Sequence, residues 1–129
     1  MSPALHNAVA TVLRAPHRQG GRDPATGIDC LGAVLCILRA AGVAFPDPWR
    51  QLERDWVAGG LVPHCFPAGW ERVLAPPFRD LDVLVWGAEQ CSVGIVVGGY
   101  VIGHSQRQGG WRLLMDRFRT TAEVWRQNP

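Results

Sequence analysis

Gly27-Ile28-Asp29-Cys30-Leu31-Gly32 is the stretch on which the reading of this chain turns. A loop leads into it over residues 15–28, broken by Pro16, Gly20, Gly21, Pro24 and Gly27. An apolar pattern follows at helical spacing, Leu31, Val34, Leu35 and Leu38. Asp29 stands at the N-cap position of that helix and Gly42 at its stop. The segment is apolar nearly all round, which predicts a buried central helix with Cys30 in its first turn. A thiol there meets the positive end of the helix dipole and unpaired backbone N–H groups, which favour thiolate over thiol. Thiolate is the nucleophilic form, so the placement predicts covalent chemistry rather than packing.

Upstream, Ser2 can cap a helix over residues 3–14, with Pro3 in its first turn and Leu5, Val9, Val12 and Leu13 on one face. Downstream, Pro46 and Pro48 introduce a third helix through Trp49, Leu52, Trp56 and Val57, ended by Gly59-Gly60. A short helix is predicted over residues 70–74. The pattern then changes to short β-branched runs at 81–86, 92–97 and 100–104, with 111–115 as a fourth strand. Gly98-Gly99 between two of these runs signals a tight hairpin. A final helix is predicted over residues 116–126. Helices first and an antiparallel meander afterwards make an α+β class, with the Cys30 helix packed on the sheet.

The composition bounds the function classes. A chain of 129 residues, 47% hydrophobic and 19% charged, reads as one ordered domain over residues 1–129. A net charge of +2 without a dense basic run argues against a nucleic-acid partner. All 13 basic residues are arginine. No apolar run reaches the roughly 18 residues of a membrane span, and residues 1–16 lack a signal-peptide pattern. Cys30, Cys36, Cys65 and Cys91 form no Cys-x-x-Cys pair, and a metal set of His64, Cys65, Cys91 and His104 lacks ligand spacing. No cofactor and no metal are therefore expected. Trp49 and Trp56 lie one helical face apart and suit core packing before a docking patch.

Residues 16–104 resemble the NlpC-type cell-wall cysteine peptidases, which have a papain-like α+β fold. The resemblance rests on Pro16 to Pro24, then Gly27-Ile28-Asp29-Cys30-Leu31-Gly32, then Asp82-Val83-Leu84-Val85-Trp86, Ser92-Val93-Gly94-Ile95 and Val101-Ile102-Gly103-His104, in the family's order. Length and the Gly21-Arg22-Asp23-Pro24-Ala25-Thr26-Gly27 loop look most like the compact branch found in tails of bacteriophages and gene transfer agents. The resemblance implies Cys30 as nucleophile, residue 92 as general base and His104 as the group that orients the base. Ser92 stands where the family has histidine, His17 where it has an aromatic after the first proline, and Leu81 where it has glycine before the strand Asp. Serine cannot take and return a proton near neutral pH as imidazole does. His104, His17 and His64 are the candidate substitute bases. Gly32 is expected to let helix and sheet approach closely. Two functions follow as expectations. One is a tail-tip or hub-associated protein of the virion, assembled in the host cytoplasm, with the peptidase fold and a degenerate catalytic set. The other is an active peptidoglycan endopeptidase or amidase. Partners would be other tail-tip proteins and, as substrate, peptidoglycan peptides.

Overall fold

The computed structural model describes residues 1–45, 66–74, 77–86, 92–118 and 122–128. The expected helix through Trp49 and Trp56, together with His64, Cys65 and Cys91, lies outside them. Among the described residues, two helices pack on a six-stranded sheet, in an α+β arrangement.

Helix α1 (Pro3–Arg14) starts where Ser2 Oγ accepts the Leu5 N–H at 3.2 Å, and buries Leu5 and Val12. The loop after it contains a two-residue hairpin, β1 (Arg22–Asp23) with β2 (Gly27–Ile28), not anticipated in the sequence. Helix α2 (Cys30–Ala40) follows at once. Its C-terminus closes on Gly42 at φ +77, with Val43 N–H donating to Leu38 O and Gly42 N–H to Arg39 O. That left-handed position is the reason for a glycine there. Every side chain of α2 from Leu31 to Leu35, and Ile37 and Leu38, is buried, as the all-round apolar pattern requires.

The main sheet has the order β3-β8-β4-β5-β6-β7, with every neighbouring pair antiparallel. Its strands are β3 (Trp70–Val73), β4 (Val83–Trp86), β5 (Ser92–Val97), β6 (Tyr100–Ser105), β7 (Gly109–Leu114) and β8 (Glu123–Gln127). Gly98 and Gly99, at φ +60 and +85, make the β5–β6 hairpin turn that their pairing predicts. Side chains alternate between two faces. Val83, Val85, Val93, Ile95, Val97 and Ile102 join the helices in the main core. Leu84, Val96, Val101 and Val124 face the other way, onto Phe118, Trp86 and Trp111.

Two expectations are corrected. Residues 70–74 are not a helix: residues 70–73 form β3, paired with β8 from Trp70↔Gln127 to Val73↔Val124. Residues 116–126 are not a helix either. Met115–Phe118 is one 3-10 turn, and Glu123–Gln127 enters the sheet between β3 and β4. Burial on both faces explains the second case, because Val124 fills the smaller core while Trp125 fills the main one, stacked on Phe66 at 4.6 Å. Two adjacent buried apolar residues fit a central strand as well as they fit a helix.

Candidate functional site

Helix α2 lies against β5 and β6, so its first turn faces the end of the sheet where β5 begins and β6 ends. There Cys30, Ser92 and His104 line one cleft of about 380 Å³. Trp86, Trp111 and Phe118 close its apolar side. The three residues singled out in the sequence, 62 or more positions apart in two cases, are thus brought to one place by the helix-on-sheet packing.

Asp29 holds the cysteine there. Its Oδ1 accepts the Gly32 N–H at 2.8 Å, which is the expected N-cap. It does more than cap. Oδ2 accepts the Gly20 N–H at 2.9 Å, and Oδ1 also accepts Arg22 Nη1 at 2.9 Å, a nearly buried ion pair. One carboxylate therefore ties the loop, the hairpin and the helix start together. Arg22 was missed in the sequence, since nothing in a Gly-Arg-Asp loop shows which acid an arginine will reach. Gly32 serves the same junction. A Cβ on it would lie 2.4 Å from the Gly21 carbonyl oxygen, so the close approach is to the loop and not, as expected, to the sheet. Asp29→Ala removes a cap and a charge-assisted bond, and is expected to cost about 2–3 kcal/mol in urea unfolding. A loss under about 0.5 kcal/mol would show that the clamp does not stabilise the loop.

The thiolate expectation for Cys30 is overturned. Burial pushes its pKa up, from 9.0 to about 11. The N–H groups of Val93, Leu31 and Cys30 itself pull the other way, and the Asp29 carboxylate adds to the rise. The helix start does favour the anion, but desolvation outweighs it. Among the described residues no imidazole hydrogen-bonds to the sulfur.

Two histidines instead bond to each other. His104 is buried on β6, and its Nε2 lies 2.9 Å from Ala15 O. A carbonyl only accepts, so that nitrogen carries the proton and Nδ1 of neutral His104 is an acceptor. His17 Nδ1 lies 3.0 Å from it and must donate. The ring centres are 5.2 Å apart with planes 16° apart. A separation that exceeds the N–N distance by about two ring radii places the rings edge to edge, as a hydrogen bond requires. The chain of donors leaves His17 Nε2 with a free lone pair and His104 with none. Burial and the neighbouring His104 lower the pKa of His17, against the Asp29 carboxylate, which raises it. His17 is placed beside the helix start by its bridge to Ile28.

The solved NlpC/p60 domain of the peptidoglycan hydrolase SagA matches this arrangement with a TM-score of 0.61, covering 94% of each chain at 21% sequence identity. The fold is that of NlpC/p60 domains. Among curated proteins, probable endopeptidases of Mycobacterium tuberculosis and Mycobacterium bovis are 27% identical over 106 residues, which is 82% of this chain. The chain spans about a quarter of the length of those relatives, 24% of each. No family model matches. Among the described residues no group of three or more His, Cys, Asp or Glu side chains could hold a metal, and no helix is long and apolar enough to cross a membrane. In an NlpC/p60 frame, the structure puts Ser92 at the first residue of β5, half-buried at the cleft wall, with the His17–His104 pair on the helix side of the sheet.

Proposed function

We propose that this NlpC/p60 domain acts on peptidoglycan peptides as a cysteine peptidase of a phage or gene-transfer-agent tail tip, with its proton acceptor displaced from residue 92. The observation that carries the reading is the shared cleft: a helix-start cysteine lines it with the position that the family's base occupies and with His104, which is bonded to His17. The fold and the endopeptidase relatives support the substrate class. The Gly21–Gly27 loop supports the tail branch. Its Arg22 belongs to the clamp on Asp29.

In the chemistry so assigned, Cys30 sulfur attacks the carbonyl carbon of an amide. Its proton passes to the imidazole pair, of which His104 lines the cleft and His17 Nε2 carries the free lone pair. The N–H groups of Cys30 and Leu31 are the donors available to the oxyanion, because the Gly32 N–H is taken by Asp29. The C–N bond then breaks, the amine leaves with the proton returned by that pair, and water hydrolyses the thioester to return the thiol.

Hydrolysis of a γ-D-glutamyl muropeptide is expected in the intact protein and is lost in Cys30→Ala. Turnover that survives Cys30→Ala would remove the cysteine from the chemistry. The protonated thiol and Ser92 favour a second reading, in which the domain serves tail assembly alone. Under that reading Cys30→Ala particles assemble and infect as the parent does, whereas particles that assemble but fail to infect support the peptidase.

A further inference from the structure

We infer that the Cys30 cleft selects a peptide carrying a free carboxylate, read by Arg107. The inference rests on the peptidase reading for the position of the peptide, and adds what that peptide must carry.

Arg107 stands on the turn between β6 and β7, three residues beyond His104, and lines the same cleft as Cys30. It is the one formally charged side chain among the described residues that line it. No carboxylate of those residues shares the wall. The arginines on the strands of the main sheet are engaged: Arg126 with Asp82, Arg72 with Glu123, and Arg112 over the Tyr100 ring. Arg107 has no such partner among the described residues.

The turn that carries it is ordered from within. Ser105 pairs with Gly109 across the strands, and Ser105 Oγ accepts the Gln108 N–H at 3.2 Å. Gly109 supplies the left-handed residue, at φ +69. Arg107 shares the cleft with Trp86 and Trp111, whose T-shaped contact, 5.8 Å between centres, builds the apolar wall. An apolar wall weakens solvent screening, and a guanidinium matches a carboxylate with two parallel bonds. That combination suits a ligand with an apolar backbone and a terminal or side-chain carboxylate. It does not suit a cationic or fully amidated peptide.

The test uses the full chain carrying Cys30→Ala, so that binding is read without turnover. Calorimetry compares a γ-D-glutamyl stem peptide with free carboxylates and the same peptide as its carboxamide. The free acid is expected to bind at least about tenfold tighter, and the preference to fall as salt rises. Arg107→Ala, a change at an exposed turn, is expected to erase the preference, with the larger loss of affinity falling on the free acid. Arg107→Lys should restore part of it. Equal affinity of the parent for both peptides, or a preference that survives Arg107→Ala, overturns the inference and leaves the peptidase reading standing. Selective binding combined with no hydrolysis by the Cys30 protein keeps the inference and removes the peptidase. Failure to bind either peptide overturns both.

Discussion

Ser92→His is expected to raise turnover of a γ-D-glutamyl peptide by about 100-fold or more. The parent carries a thiol with a pKa of about 11 and no imidazole bonded to it. At pH 7 its thiolate is then about one part in 10⁴, against one in about 10² for a thiol at 9.0. His17 offers a lone pair, but from the far side of His104, and a base misplaced by an ångström can cost about 100-fold. Residue 92 opens β5 one position before Val93, whose N–H acts on the sulfur. It is half-buried on a cleft of about 380 Å³, so an imidazole there has room and shares that cleft with the thiol. A positioned base contributes about 10²–10⁴ in rate. Alkylation by iodoacetamide gives a second readout. Its rate in the parent should climb with pH toward an inflection near 11, because only the thiolate reacts. An imidazolium at 92 stabilises that anion, so the inflection should move below the ordinary 9.0. An unmoved inflection together with unchanged turnover would show that residue 92 is not where this cleft takes a proton.

What the sequence disclosed, and what it hid, follows from how local each cause is. The Asp29 cap, the Cys30 helix and the Gly98-Gly99 hairpin were legible because each depends on neighbours within a few residues. The ordered motifs from 16 to 104 point to Cys30, Ser92 and His104 together, and the three line one cleft. The two misread helices failed for a shared reason. Their residues pair with strands far away in sequence, and pairing with β4 overrides the local helical pattern of residues 116–126. The thiol pKa failed because dipole and desolvation act oppositely on the same sulfur, and only burial decides between them. Leu81 is a different case. The resemblance puts a glycine there, and the residue is the one described non-glycine at positive φ, +72. A left-handed leucine costs about 1 kcal/mol, which is why a glycine suits the turn before Asp82.

Arg126→Ala is expected to cost about 3–5 kcal/mol in urea unfolding, a large share of the roughly 5–15 kcal/mol that holds a domain of this size together. Arg126 Nε donates to Asp82 Oδ1 at 2.8 Å and Nη2 donates to Oδ2 at 2.7 Å, a two-bond fork onto a side chain only 1% exposed. Nη2 also donates to Pro77 O at 3.1 Å. Without the guanidinium, the Asp82 carboxylate keeps the Arg79 N–H at 2.8 Å and loses its counter-charge. A buried charge left so is far costlier than the pair was favourable. The pair also fixes topology. Asp82 precedes β4 and accepts the Val96 N–H through its carbonyl, while Arg126 lies on β8, so the fork locks β8 in place beside β4. The double variant Asp82→Leu with Arg126→Met removes both charges, and is expected to recover most of the loss. If the double is no more stable than Arg126→Ala, the cost lies in lost packing of β8 rather than in an orphaned carboxylate.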